Sequence, residues 1–295
     1  MKFGIYRLES FLGEEAVADC EAQFQVPISM LSFYRAWNQC DIEDDRQWFH
    51  DVATSQREVL LTWEPWLIPP DPDHPETQPD FSYQAILSGK YDTYIRLFAR
   101  LLKKSNRRIY LRPMHEMNGF WYPWCGTVNG NRPEEFRLVW QHLQRLFTAE
   151  GVGNIAWVWS PYTTSHPTIE ENAINRYFPG AKEIDVMALD GYNWGTSTQW
   201  GTWQDFGTLF TDSYKILSEL SDKPIIIAET ACTEKGGNKC EWIRDMLSSL
   251  PLCFPRIEAI VWFDIDKECD WRLASSPSSL QAFREMAANL FGNAG

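Results

Sequence analysis

Pro224-Ile-Ile-Ile-Ala-Glu-Thr230 is the stretch whose reading decides the fold. Its apolar residues are consecutive rather than alternating, the pattern of a strand buried on both faces of a parallel sheet. The run ends on a carboxylate, Glu229. Outward from it lie seven more short apolar, β-branched runs: Lys2–Tyr6, Ile28–Phe33, Val59–Trp63, Ile109–Met114, Ile155–Ser160, Ile184–Leu189 and Glu258–Phe263. Helical periodicity fills the intervals, as in Tyr94, Ile95, Phe98, Leu101 and Leu102, or Phe136, Val139, Trp140, Leu143 and Phe147 behind Pro133. Eight strands in one unbroken alternation with helices predict an α/β fold, a closed (β/α)₈ TIM barrel, with a doubly wound open sheet as the other architecture. No Gly/Ser linker and no internal repeat interrupts the pattern, so residues 1–295 are expected to form one catalytic barrel domain. The one irregular stretch, Pro69-Pro-Asp-Pro-Asp-His-Pro-Glu-Thr-Gln-Pro79, follows the third strand; it either walls a cleft or is a passive surface excursion.

Composition narrows the partners. With 40 acidic against 27 basic residues and a net charge of −13, nucleic acid and anionic membrane are poor partners, and a neutral polysaccharide or oligosaccharide suits the chain. Fifteen Trp, 11 Tyr and 17 Phe are a heavy aromatic load, much of it at expected strand ends, where flat rings can stack on the C–H faces of sugars. An aromatic core is the plainer explanation for any single ring. The seven cysteines are scattered without a CxxC pair, so neither a disulfide framework nor a zinc site is expected. The histidines show no ligand spacing, Gly119 standing where HExxH would need its second His, so no metal and no cofactor are expected. The start of the chain has no apolar leader, which predicts either a cytoplasmic protein or a secreted one whose leader is removed. A monomer is expected.

The chemistry is expected from two glutamates. Glu116 closes Arg112-Pro-Met-His-Glu116 after the fourth run, and Glu229 closes the seventh. If side chains simply alternate, Arg112, Met114 and Glu116 share one direction, as do Ile225, Ile227 and Glu229. Both carboxyls then reach the same rim. One can give a proton to a departing glycosidic oxygen while the other attacks the sugar, which for a retaining mechanism needs them roughly 5–5.5 Å apart.

The segments Arg112-Pro-Met-His-Glu-Met-Asn-Gly119 with Trp121-Tyr-Pro-Trp124, Asp190-Gly-Tyr-Asn-Trp-Gly195 and Lys223-Pro-Ile-Ile-Ile-Ala-Glu229 resemble glycoside hydrolase family 26, whose clan of retaining barrels carries its two acids on strands four and seven. The resemblance implies that Glu116 is the general acid/base and Glu229 the nucleophile. It implies that His115 and Tyr192 hold the nucleophile and its sugar and that Trp121 and Trp262 frame that subsite; Trp124, Asn193 and Trp194 are further candidate substrate-binding residues, Trp194 standing evenly between cleft and core. Trp63 and Trp66 are expected in the cleft, with core packing as the alternative, and Trp200 and Trp203 stand evenly between the two. Arg112 and Asp190, with Arg35 and Glu64, are expected as a charged floor or as a plain structural ion network. The Asp190–Trp200 stretch, Gly236-Gly-Asn-Lys239 and Asp270-Trp-Arg272 look closer to the family's lichenase branch, which cuts mixed β-1,3-1,4-glucan, than to its mannanases. Phe263-Asp-Ile-Asp266 departs from the pattern expected after the eighth strand. The resulting expectation is a retaining endo-β-glycanase, with endo-β-1,4-mannanase as the alternative. A non-catalytic glycan-binding barrel is the reading from a different class.

Overall fold

The computed structural model describes residues 1–7, 13–38, 41–53 and 55–292. Eight strands close into a parallel barrel in sequence order: β1 (Lys2–Tyr6), β2 (Met30–Ala36), β3 (Glu58–Glu64), β4 (Ile109–Pro113), β5 (Ile155–Trp159), β6 (Val186–Asn193), β7 (Ile225–Cys232) and β8 (Ile257–Phe263). The helices α1 (Glu14–Phe24), α2 (Ile42–Ala53), α3 (Tyr83–Leu87), α4 (Asp92–Leu102), α5 (Phe136–Ala149), α6 (Phe206–Leu220), α7 (Lys239–Cys253) and α8 (Pro277–Phe291) accompany them, α3 and α4 both falling between β3 and β4, whereas β5 is joined to β6 by the 3₁₀ turns Glu170–Asn172 and Ile174–Tyr177 in place of the expected helix. Each of the eight expected runs is a strand, and the closed order selects the barrel over the open sheet. No helix among the described residues is long and apolar enough to cross a membrane.

The chain forms two compact units, one of residues 1–32, 55–58 and 188–295 and the other of residues 33–54 and 59–187. In the first, β8 pairs with β1 through Gly4↔Val261 and with β7 through Ile227↔Ile260. Phe3 packs on Phe283 and Phe291 of α8, each 5.1 Å between ring centres, so the strand's apolar side is covered by the last helix. Three of its helices, α6, α7 and α8, start on side-chain caps. Asp205 accepts from Thr208 N, Asn238 from Glu241 N and Ser276 from Ser279 N, each satisfying a backbone donor that the helix itself leaves open. Beneath them, Glu234 accepts from the hydroxyls of Ser275, Ser276 and Ser279, tying the loop after β7 to the start of α8.

In the second unit β3, β4 and β5 pair in register, Leu61↔Leu111↔Trp157. Trp63 stacks on Phe98 of α4 at 4.6 Å and 6°, an offset ring pair that locks strand to helix. The proline-rich segment after β3 is mostly exposed. It is held at its base by Gln78, whose amide bonds the backbone of Leu67 in both directions, and by Asn129 on Glu76 O.

Two strand ends depart from regular alternation. β4 stops at Pro113, and Met114 and Glu116 both have left-handed backbone, φ 52° and 53°. β7 continues past Glu229, but Ala228 and Glu229 together oppose the single residue Val261 of β8. The shared direction expected for Arg112, Met114 and Glu116, and for Ile225, Ile227 and Glu229, therefore does not follow from strand pleat. A turn and a bulge-like irregularity set those directions instead.

Candidate functional site

In the second unit the chain leaves β4 through His115 and Glu116, both buried. Their left-handed turn is fastened by Met114 N on Trp63 O at 3.1 Å and Glu116 N on Ser160 O at 2.8 Å, so the neighbouring strand ends hold it. Non-glycine residues pay strain for such backbone, and strain of this kind collects at functional positions. Glu116 is 5 % exposed and accepts a 2.6 Å hydrogen bond from Trp121 Nε1 at Oε2. That bond depends on Gly119: a Cβ there would lie 2.6 Å from Trp121 Cε2, so only glycine lets the indole fold back across the turn. Trp121 is braced by Tyr162 and His166, at 5.3 and 5.9 Å between ring centres.

Asn118 fastens this corner to the loop after β5. Its amide donates to Tyr162 O and Ser165 Oγ and accepts from Tyr162 N, while its carbonyl accepts from His166 N and from Asn172 Nδ2. Neither Asn118 nor Tyr162 was expected at the site from the sequence. The Asn-Gly pair within the quoted motif was the available signal. Phe120, next in the chain after Gly119, is 54 % exposed and touches Trp121.

Arg112 is fully buried and donates to Thr62 Oγ1 from Nε at 3.0 Å and from Nη2 at 2.6 Å, and to Tyr34 Oη at 3.3 Å. His115 packs against Tyr122 and Trp124, and Trp124 Nε1 donates to His115 O at 2.7 Å. Trp124 itself has no exposed surface and stacks on Tyr122 at 4.4 Å, so it supports the turn from within. Trp66, half-buried, meets both rings edge to face. Trp63 is a helix-facing core residue, the packing alternative to its expected cleft role. Arg35 forms an ion pair with Asp45 of α2. Burial holds the Asp45 carboxyl above its ordinary range despite the arginine's opposing pull.

In the first unit Glu229 is 4 % exposed and accepts a hydrogen bond at Oε2 from Tyr192 Oη. Tyr192 stands among Phe263, Trp271 and Trp194, with centre separations of 5.5, 5.2 and 6.2 Å. Asp190 is fully buried in β6. Asn193, expected to bind substrate, is buried with its amide engaged by the protein: Nδ2 donates to Cys232 Sγ, and Oδ1 accepts from Gly195 N and Gln204 N. Trp262, expected to frame a subsite, is buried towards α7, where Lys239 Nζ lies 5.8 Å from its ring centre and Trp242 meets it edge to face. The rings that do flank Tyr192 from this side are Phe263 and Trp271, which the sequence reading passed over.

The departure after β8 has a structural explanation. Asp264 is buried and accepts from Arg7 Nε at 2.7 Å and Leu273 N at 2.6 Å, closing the loop that carries Trp271. Burial raises its carboxyl above the usual range although Arg7 and Leu273 N favour the charged form. Trp262 Nε1 donates to Trp271 O in turn, so core and loop are stitched together.

Fold and strand-end residues together define a (β/α)₈ barrel of the kind that presents its chemistry beyond the C-terminal ends of the strands. Residues 73–243 match the model of glycosyl hydrolase family 26, and the chain belongs to that family. It is 37 % identical over 232 residues to "Endoglucanase H" of Acetivibrio thermocellus, a match covering 77 % of this chain and 24 % of that protein. It is 28 % identical over 170 residues to "Mannan endo-1,4-beta-mannosidase A and B" of Caldalkalibacillus mannanilyticus, covering 55 % and 29 % respectively. The chain thus spans less than a third of the length of either relative. In fold it is similar to the catalytic domain of the Bacillus sp. JAMB-750 endo-beta-1,4-mannanase, with a TM-score of 0.72, 16 % identity, and coverage of 100 % of this chain and 87 % of that one.

Proposed function

We propose that the chain is a retaining endo-β-glycanase acting by double displacement on mixed-linkage β-1,3-1,4-glucan, as a monomer and without a cofactor. The observation that carries the reading is the pair of buried glutamates, Glu116 beyond β4 and Glu229 in β7, each held by an aromatic side-chain donor. In a closed parallel barrel the C-terminal ends of all strands share one rim, where two carboxyls can serve one sugar. Glu116 gives its proton to the leaving oxygen as Glu229 attacks the anomeric carbon. Glu116 then takes a proton from the water that releases the sugar from Glu229. Tyr192 fixes the attacking oxygen pair, and Trp121 fixes the acid. The name of the 37 %-identical relative favours glucan. The 28 % identity to a protein named for mannan supports endo-β-1,4-mannanase as the second reading.

Lichenan, barley β-glucan, galactomannan and β-1,3-xylan, each incubated with the protein, test the substrate by product analysis. Cleavage of the first two is expected, and cleavage of galactomannan alone would transfer the reading to mannan. Proton NMR of the first products should show the β-anomer before mutarotation; an α-anomer first would rule out double displacement. Glu116→Gln and Glu229→Gln should each nearly abolish turnover with folding intact. Binding without any sugar release by the native chain would restore the non-catalytic reading.

A further inference from the structure

Trp200 is 69 % exposed. A solitary exposed ring means little on a protein surface. This one is the end of a series. Tyr192, bonded to Glu229, is 6.2 Å from Trp194 between ring centres; Trp194 is 5.0 Å from Trp200 and is backed edge to face by buried Trp271 at 4.8 Å. The rings lead stepwise from the carboxylate to solvent.

The loop that holds Trp200 out is fixed. Gly195 has φ 49°, and a Cβ on it would fall 1.8 Å from Lys235 O; Gly236 has φ 97°, and a Cβ on it would fall 2.8 Å from Thr196 N. The two loops interlock where only glycine fits. Thr196 N donates to Lys235 O at 3.1 Å, and the hydroxyls of Ser197 and Thr233 bond at 2.8 Å. Within the loop, Ser197 N donates to Trp194 O and Gly201 N to Thr198 O. A ring held in place before binding loses little freedom when a ligand stacks on it. Residues 191–204 contain no charged side chain, in a chain whose net charge is −13, and Thr196 and Gln199 stand exposed beside the ring as neutral hydrogen-bonding groups. That chemistry suits an uncharged sugar.

We propose that Trp200 is an outer platform for a neutral β-linked glycan: one pyranose stacks its C–H face on the exposed indole, and the chain runs inward past Trp194 to Tyr192 and Glu229. This rests on reading the site as that of a glycanase. It adds a binding position remote from the reacting bond, so it acts on affinity for long chains more than on the chemical step.

Native gels containing barley β-glucan test it, comparing the full chain with Trp200→Ala and Trp200→Phe, each checked for folding by circular dichroism. The native chain should be retarded, Trp200→Ala should bind about fivefold more weakly, and Trp200→Phe should recover most of the loss. Hydrolysis of the same glucan should show KM rising in parallel with a smaller change in kcat. Equal retardation of Trp200→Ala and the native chain overturns the platform, as does absence of any retardation of the native chain. Retardation that depends on Trp200 without hydrolysis by the native chain overturns the glycanase reading and leaves the platform standing.

Discussion

Trp121 Nε1 lies 2.6 Å from Glu116 Oε2, five residues back along the same turn. Because Gly119 is what permits the indole to fold over the backbone, this contact to the carboxyl is made within the His115–Trp121 segment. Trp121→Phe keeps the ring and deletes the donor. On the proposed mechanism Glu116 is charged for part of the cycle, and a hydrogen bond to such a group contributes about 1.5–3 kcal/mol, so kcat should fall by roughly tenfold or more. Circular dichroism should show the fold intact, and an unaltered kcat would show that the bond does not position Glu116.

Tyr192→Phe makes the matching change at the other carboxylate. Its hydroxyl donates to Glu229, and its ring is held by Phe263 and Trp271, so the phenylalanine should keep its place. Loss of about 10- to 100-fold in kcat is expected, measured by reducing-sugar release, with burst kinetics showing whether attack or release of the intermediate is slowed. Full activity would remove Tyr192 from the positioning of Glu229.

Gly119→Ala tests the turn itself. The added methyl carbon meets Trp121 Cε2 at 2.6 Å, and the ring cannot retreat far because Tyr162 and His166 stand behind it. Overpacking of this kind costs about 1–3 kcal/mol, read as a lowered thermal midpoint together with lost activity. If both stay at the native level, the indole has another resting place and the proposed lock is absent.

Glu234 predicts an acid-sensitive clamp. Burial pushes its carboxyl up, but the hydroxyls of Ser279, Ser275 and Ser276 and the charge of Lys239 outweigh it, so the folded value lies below the ordinary 4.5. A depressed folded value gives stability that is fully present above the unfolded value and is lost as pH falls through the folded one. Glu234→Gln should therefore unfold more easily than the native chain at pH 7. The difference in denaturation midpoint should begin to shrink as pH falls below 4.5 and go on shrinking as the native carboxyl takes up its proton at its depressed value. A difference that grows on acidification would refute the clamp.

The strands were legible because burial on both faces writes itself as unbroken apolar runs; Lys2–Tyr6 begins and ends where the sequence placed it. The directions of Glu116 and Glu229 were not legible, since alternation is the only rule a run supplies and both residues sit where it breaks. Aromatic roles divided for a related reason. Composition counts rings without telling which neighbours they meet: Trp63, Trp262, Phe263 and Trp271 are all buried, Trp63 against Phe98, Trp262 against Trp242, and Phe263 and Trp271 against Tyr192. Asn193 and Asn118 show the same limit for amides. Both motif asparagines bond backbone and neighbouring side chains, and a one-dimensional motif marks such a residue without saying what it holds.

The interlocked glycines at 195 and 236 bear on how this chain can be re-engineered. Since each loop's backbone occupies the space where a side chain at the other's glycine would go, a segment exchanged after β6 collides with its neighbour unless it keeps glycine at 195. A chimera that carries residues 194–201 and 233–237 across as one cassette keeps that fit intact.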